Sequence, residues 1–383
     1  MNNRWNTEWT GEDTLEFFDE QEDSEYGAEA QETYEGEFFD EAGSWSEFES
    51  EPGSHPRLAY LYGAPAEFEE HPRLAYLFAP PGELEAPYEG EIIGKKDTRK
   101  PIRNTKGVPF RWICCLDLRF DDPGFSGGSI HARGTGTLIS PRHILTAGHC
   151  LYDSFPELGG KYVEVANVAV APALDRTAFA SAPFGTSSNA KPPRYPDEWR
   201  DKHDRQYDYG IITLKNSLGD AAVRGIKHPI LGYWGSTKFG DGTRLDVIAP
   251  DKLKDSKIEI AGYPGDKCGY MSILKNGDTC YIPKATDWAK FSKDVQDCIK
   301  KGLQATAQFG DRGKIVNPSP KGEERLLVHD IDSCKGHSGS PLWIEDKRQY
   351  YLVGVHTGGF DLTGNRGVRI TQEVLDNVAL WMK

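Results

Sequence analysis

Two short stretches decide how this chain of 383 residues folds: Thr146-Ala-Gly-His-Cys150 and, much later, Gly336-His-Ser-Gly-Ser-Pro341. The first places a histidine and the second a serine, each beside glycines that permit tight turns. Between them, Tyr207-Asp-Tyr-Gly210 places a carboxylate at the start of an apolar run. Nucleophilic acyl transfer needs a hydroxyl, a base beside it and a carboxylate that orients the base. We therefore predict that three side chains meet in the folded chain: His149, Asp208 and Ser338.

Two other carboxylates compete for the third role, because Asp201 and Asp204 lie close to Asp208 in the sequence. Both lie in a polar, proline-rich loop, whereas Asp208 opens an apolar strand. A carboxylate at that position can be buried beside His149, so Asp208 is the favoured member.

Charge divides the chain at Glu91. Residues 1–91 carry a net charge of −22, and residues 92–383 carry +8. The first part is too polar and too densely charged to offset the entropy of ordering, which predicts a disordered acidic extension. It contains a repeat of period 16, at residues 55–61 and 71–77, interpreted as a duplicated linker or as a docking strand used twice. We expect the extension to be a propeptide or a permanent solubilising tail.

From Ile92 onwards the residue pattern predicts an all-β structure, because short apolar or alternating runs are separated by Gly, Pro, Asn and Asp. Many short strands with few helices favour a barrel or a sandwich. Helical spacing predicts two helices, near residues 286–303 and at residues 371–382. The predicted strands are residues 111–120, 134–139, 143–147, 162–171, 209–215, 257–262, 326–331, 342–345, 351–356 and 368–371.

From about Ile92 to Lys383 the chain resembles the chymotrypsin-like serine proteases, and among them the bacterial glutamyl endopeptidases. The motifs that carry the resemblance are residues 92–99, 146–150, 261–266, 336–341 and 354–359. No one motif is decisive, but their joint occurrence in this order is specific.

The resemblance implies two six-stranded antiparallel β-barrels followed by a C-terminal helix, with the site in the cleft between the barrels. His149 would come from the first barrel and Ser338 from the second. His149 would take the proton of Ser338 and later donate it to the leaving amine, while Asp208 holds the imidazole. The backbone N–H groups of Gly336 and Ser338 would form the oxyanion hole.

Three features depart from the wider family. His337 precedes Ser338, in place of the acidic residue that pairs with the new N-terminal amine of digestive zymogens. Cys150 and Cys334 lack their usual disulfide partners, so we expect no transferable disulfide pattern, although Cys268 and Cys280 are close enough to pair. Residues 268–312 are predicted to be an insertion on the second barrel, structural or bordering the cleft.

Two residues favour different substrates. Asp332 lies six residues before Ser338, where trypsin-like enzymes carry the carboxylate that binds Arg or Lys. His356 matches the histidine that lines the acidic-residue pocket of glutamyl endopeptidases, or is a core histidine. We favour cleavage after Glu, with Arg/Lys specificity as the alternative. The resemblance assigns substrate binding to Asp332, Ser333, His356, Thr357, Gly358 and Gly359.

The leading prediction is thus a serine endopeptidase that acts on protein or peptide substrates as a monomer. An inactive protease-like binding module is the alternative from another class. The proposed chemistry requires no metal and no organic cofactor, and the dispersed charge of +8 argues against nucleic-acid binding. No apolar run is long enough to span a membrane, and no signal peptide is recognisable. We expect an extracellular protein, with the cytoplasm as the alternative.

Overall fold

The computed structural model describes residues 92–93, 96–121, 129–155, 158–177, 179–222, 229–236, 243–272, 291–301, 306–347, 349–361 and 364–383. The predicted acidic extension and its repeat lie outside the described residues, as does Cys280. No described helix combines the length and the apolar character needed to cross a membrane.

The first barrel follows a short opening strand, β1 (Lys100–Pro101), which pairs with the second barrel. Its strands pair in the order β5-β6-β2-β3-β4-β8, and β7 adds to β6. This path forms a half-barrel, and single bridges from Asn189 and Arg194 to β8 bring the segment after β7 towards its open side. The strands are β2 (Ile113–Asp121), β3 (Ser129–Ser140), β4 (His143–Thr146), β5 (Tyr152–Phe155), β6 (Lys161–Pro172), β7 (Ser187–Ser188) and β8 (Gly210–Thr213).

The second barrel is closed. Its strands are β9 (Thr243–Arg244), β10 (Lys257–Gly262), β11 (Lys267–Cys268), β12 (Met271–Ser272), β13 (Phe309–Asn317), β14 (Leu326–His329), β15 (Pro341–Asp346), β16 (Gln349–Asp361) and β17 (Gly364–Arg369). Six of them form the path β13-β10-β15-β16-β17-β14, and pairing of β13 with β14 completes the ring. β9 pairs with β16, and β11 and β12 form a separate hairpin. The predicted double-barrel architecture is confirmed.

The described part of the chain has four α-helices beside the barrels: α1 (Asp197–Lys202), α2 (Pro250–Leu253), α3 (Lys293–Lys300) and α4 (Gln372–Trp381). The C-terminal helix begins at Thr371, whose hydroxyl accepts a hydrogen bond from the Val374 N–H group. It packs back on the first barrel, where Trp381 lies 5.8 Å from Tyr209 and Asn377 donates to the Tyr209 hydroxyl. This contact supports the residue next to Asp208.

Within the predicted insertion the structure describes the start of β13 and one disulfide bond. β13 begins at Phe309 and pairs with β10, so residues 309–312 belong to the barrel. The predicted Cys268–Cys280 pair is wrong, because Cys268 of β11 is bonded to Cys298 of α3. Their Cα atoms lie 6.0 Å apart, a separation that a disulfide spans.

The remaining described cysteines divide into two groups. Cys334 is also disulfide-bonded, and since no cysteine follows it in the sequence, its partner is not the one usual in the wider family. Cys114, Cys115 and Cys150 are free and buried. Cys150 lies beside Gly134, where a Cβ atom would lie 3.0 Å from the sulfur, and a glycine supplies no thiol with which Cys150 could pair.

A row of tryptophans joins the two barrels. Trp112 precedes β2, Trp343 lies on β15, and Trp234 lies between them, with ring centroids 5.9 Å apart in both pairs. All three side chains are fully buried. Large aromatic surfaces in such edge-on contact contribute strongly to core stability, so the barrels share one core at this point.

A buried ion network attaches the chain entering β1 to the second barrel. Arg99 bonds both Asp97 and Asp266, and Lys267 bonds Asp97 as well. The side chains of all four are at most 6% exposed. Burial raises the pKa of Asp97, but Arg99 and Lys267 outweigh it and lower that pKa to about 2. The network therefore stabilises the fold fully above about pH 4 and loses this contribution as the pH falls towards about 2.

We expect Arg99→Ala to lower the free energy of unfolding by about 3–5 kcal/mol, because it removes the cation that two buried carboxylates share and leaves them only Lys267. Urea unfolding at pH 7 measures the change. Arg119→Ala is the matched control, since Arg119 pairs with Asp121 at the surface and such pairs contribute about 0–1 kcal/mol. Equal effects of the two substitutions would contradict a structural role for the network.

Candidate active site

The Ser338 turn connects β14 to β15 and depends on two glycines. Gly336 has φ +98°, and a Cβ atom there would lie 2.5 Å from the Tyr263 carbonyl oxygen. Gly339 has φ +85°, and its Cβ atom would lie 2.0 Å from the Thr135 carbonyl oxygen. Neither position accepts a side chain, which is why glycines flank the serine at this spacing.

The turn is docked on the first barrel through Thr135 of β3. The Thr135 N–H group donates to the Ser338 carbonyl oxygen at 2.8 Å, and its hydroxyl donates to the Gly336 carbonyl oxygen at 2.7 Å. The Tyr263 N–H group in turn donates to the Thr135 hydroxyl at 3.0 Å. Ser338 is therefore positioned by both barrels.

Two amide groups of this turn are directed away from the protein's own acceptors. His337 N–H donates to Cys334, Ser340 N–H donates to His337, and Gly339 N–H donates to His356, all to carbonyl oxygens. Among the described residues, the N–H groups of Gly336 and Ser338 donate to no protein acceptor. Two neighbouring unengaged amides are the arrangement that stabilises a developing oxyanion.

His149 lies in a short helical turn directly after β4, and Asp208 lies directly before β8. Because β4 and β8 pair, the two residues meet at one end of the strand pair. The carboxylate of Asp208 accepts two hydrogen bonds at 2.8 Å, one from the His149 N–H group and one from ring atom Nδ1. Asp208 is 2% exposed, so both its oxygens are committed to orienting this histidine.

The environment of His149 makes it a stronger base than an ordinary histidine. Burial is the largest influence and lowers its pKa, but the charge and hydrogen bond of Asp208 outweigh it, and the pKa rises above the ordinary value. The pairing also fixes the proton on Nδ1, which leaves Nε2 as the acceptor.

Among the described residues, no hydrogen bond joins the Ser338 hydroxyl to the His149 ring. The two segments meet instead through Cys150, whose sulfur lies 3.7 Å from the Ser338 carbonyl oxygen. Such catalytic hydrogen bonds are often long or misaligned until a substrate binds.

His356 lies directly behind the Ser338 turn. Its N–H group donates to Ser340 and its carbonyl oxygen accepts from Gly339, at 2.9 and 2.8 Å. Its ring is buried, and Nδ1 lies 3.3 Å from Nε2 of His329. Burial, followed by the neighbouring histidines His329 and His337, lowers the pKa of His356 well below its ordinary value. The ring is therefore neutral at physiological pH.

Four other predicted substrate-binding residues lie on two segments: Ser333 precedes the Ser338 turn, and Thr357, Gly358 and Gly359 follow His356 on β16. Ser333 and Thr357 are buried, and among the described residues their hydroxyl groups have no hydrogen-bond partner. Gly358 has φ +132° and open space where a side chain would be. The carbonyl oxygen of Gly359 accepts a hydrogen bond from the guanidinium of Arg366.

Asp332 has a different environment from the other five. Its carboxylate is 2% exposed and accepts hydrogen bonds from the N–H groups of Ile93 and Thr98 and from the Thr98 hydroxyl. Both oxygens thus bind the segment that enters the domain. This contact could not be predicted from a local sequence pattern, because it joins residues more than 230 positions apart.

Comparison with known proteins gives related proteases. The chain is 27% identical over 305 residues to a protein named glutamyl endopeptidase from Bacillus licheniformis, covering 77% of this chain and 71% of the relative. It is 23% identical over 323 residues to a protein named extracellular metalloprotease from Bacillus subtilis, covering 84% and 75%. A solved Glu endopeptidase structure matches with 22% identity and a TM-score of 0.48, covering 76% of this chain and 98% of that one. No family model matches.

Among the described residues, no group of three or more His, Cys, Asp and Glu side chains is arranged to hold a metal ion. The histidine and the serine turn of the first two motifs lie at the junction of the two barrels. The resemblance inferred from the sequence is therefore confirmed, and the chain is a serine-type endopeptidase homologue of the chymotrypsin-like fold, related to glutamyl endopeptidase.

Proposed function

We propose that the chain hydrolyses peptide bonds after glutamate, through an acyl-enzyme formed on Ser338. The observation that carries the catalytic part is the pair of hydrogen bonds that His149 donates to Asp208, beside a serine turn with two unengaged amides. His149 removes the proton of Ser338 as the hydroxyl attacks the carbonyl carbon. The Gly336 and Ser338 amides stabilise the oxyanion, and loss of one such donor costs about 2.7–4 kcal/mol in other enzymes.

The preference for glutamate is supported by the donors around His356. A buried carboxylate needs hydrogen bonds, and the Ser333 and Thr357 hydroxyl groups lack protein partners among the described residues. A neutral His356 adds a third donor without adding charge. The Arg/Lys alternative loses support, because the carboxylate it requires, that of Asp332, already binds Ile93 and Thr98.

The location and processing of the chain follow from this proposal. Disulfide bonds at Cys268, Cys298 and Cys334 suit an oxidising compartment, and one relative is named as extracellular. We propose an extracellular protease whose domain spans residues 92–383. Residues 1–91 would be an extension removed by cleavage after Glu91.

Ser338→Ala should abolish hydrolysis, because it removes the nucleophile and little volume; loss of the serine of another triad reduces turnover by about 10⁶-fold. A fluorophosphonate probe should label the wild type and Ser319→Ala, a serine away from the site, but not Ser338→Ala. An unlabelled wild type would favour the inactive binding module.

Asp208→Asn should reduce turnover by about 10⁴-fold, the loss seen when the equivalent carboxylate of another triad is replaced. His149 must be neutral to act as a base, so activity rises as the pH passes through its pKa. Because Asp208 raises that pKa, the substitution should also move the acid limb of the kcat/KM profile to lower pH. An unchanged acid limb would contradict the assignment of His149 as the base.

His356→Gln should reduce kcat/KM for substrates with Glu before the scissile bond far more than for their Gln analogues. We expect the Glu:Gln ratio to fall about tenfold or more, since one good hydrogen bond to a charged group contributes about 1.5–3 kcal/mol. His143→Gln is the control, because that histidine lies on β4 and bonds Ser140. A retained Glu:Gln ratio in His356→Gln would remove His356 from the pocket.

A further inference from the structure

The guanidinium of Arg366 lies beside two of the residues that are predicted to bind substrate. Arg366 of β17 pairs with Gly358 of β16, and its Nη1 atom donates a hydrogen bond to the carbonyl oxygen of Gly359. The residue is only 8% exposed, so its charge is largely removed from water. A buried positive charge therefore lies next to the strand segment that is predicted to contact the substrate.

The two neighbours of Arg366 on β17 fix the direction of its side chain. Asn365 donates to the carbonyl oxygen of Ile331 at 2.7 Å, and a Cβ atom on Gly367 would lie 2.5 Å from the side chain of Leu342. Ile331 and Leu342 belong to the same apolar core cluster of the second barrel. Because successive side chains of a strand point to opposite faces, Arg366 is directed away from that core and towards Gly359.

The charge of Arg366 acts on a histidine on each side of the serine turn. Burial is the largest influence on His149 and on His356 and acts to lower the pKa of both, and the positive charge of Arg366 acts in the same direction on each. Charges act strongly only at short range at ordinary ionic strength. Arg366 therefore lies close both to the base of the candidate triad and to the histidine of the predicted pocket.

A substrate glutamate brings a negative charge into this site. Burying a carboxylate is costly unless a cation and hydrogen bonds compensate it. The hydroxyl groups of Ser333 and Thr357 and the neutral ring of His356 supply hydrogen bonds without charge. The planar guanidinium of an arginine suits a carboxylate, which it binds through two parallel hydrogen bonds. An Arg or Lys side chain of a substrate would instead meet a like charge.

We propose that Arg366 is a specificity-determining residue, whose guanidinium binds the carboxylate of the substrate glutamate and balances its charge. The inference rests on the proposed function, because it takes glutamate as the residue before the scissile bond. The hydrogen bond to Gly359 holds the guanidinium in place before substrate arrives, which reduces the entropy cost of binding. A purely structural role, in which Arg366 only joins β17 to β16, predicts equal losses for all substrates.

The test uses two peptide substrates that differ only in Glu or Gln before the scissile bond. The kcat/KM for each is measured with the full-length wild type, Arg366→Gln, Arg366→Lys and Arg369→Gln, and thermal unfolding shows that each variant is folded. Arg369 is the matched control, because it lies on the same strand and donates to the carbonyl oxygen of Glu324 at 2.9 Å.

Arg366→Gln should lower the Glu:Gln ratio of kcat/KM about tenfold or more, because a hydrogen bond to a charged group contributes at least about that factor. Arg366→Lys keeps the charge and should retain more of the ratio, and Arg369→Gln should retain all of it. An unchanged ratio in Arg366→Gln would overturn the proposal and leave the proposed function intact. A wild type that cleaves equally after Glu and Gln would refute the proposed specificity and, with it, the role of Arg366.

A second measurement covers the case in which the Arg366 variants fail to fold. The wild type is treated with a peptidyl diphenyl phosphonate that carries a glutamate side chain next to phosphorus. The Ser338 hydroxyl displaces phenol, so an oxygen–phosphorus bond forms and the side chain stays in its pocket. A crystal structure of this adduct should place a carboxylate oxygen about 2.7–3.2 Å from a guanidinium nitrogen of Arg366. A separation beyond hydrogen-bond distance would overturn the proposal.

Discussion

The site depends on one residue of the first barrel, Thr135, which joins three parts of the chain. Its N–H group and hydroxyl bind the carbonyl oxygens of Ser338 and Gly336, and its own carbonyl oxygen accepts from the Thr146 hydroxyl at 2.7 Å. Thr146 ends β4, three residues before His149. Hydrogen bonds thus tie both the segment before the histidine and the serine turn to Thr135, although 189 positions separate His149 from Ser338 in the sequence. Close approach of Gly339 to this unit explains why the turn has so little freedom.

Charge is distributed unevenly around this junction. Histidines that line the interior of the second barrel, His329, His337 and His356, are kept neutral by burial. His149 is the exception, because Asp208 offsets the cost of its burial. The same residue type therefore has a raised pKa beside Asp208 and a lowered pKa behind the serine turn. Burial and the presence of one carboxylate decide between the two states.

The structural elements that depend on a local sequence pattern were predicted from the sequence. All ten predicted strands exist, with ends that shift by a few residues, and the C-terminal helix begins at its predicted cap. β13 was not predicted, because Phe309-Gly-Asp-Arg-Gly-Lys mixes polar residues and glycines, and its pairing with β10 and β14 provides the stabilisation that its composition does not. The Cys268–Cys298 bond and the contact of His329 with His356 were also beyond prediction, since only the fold brings those residues together.

Asp332 shows most clearly how position in a motif differs from role. Asp332 lies six residues before Ser338, the position at which trypsin-like enzymes carry the carboxylate that binds basic substrates. The role depends on the groups that already bind the carboxylate. Here the N-terminal segment supplies three hydrogen-bond donors, and Asp311 adds a second negative charge nearby. A substrate side chain would have to displace those hydrogen bonds before it could reach the carboxylate.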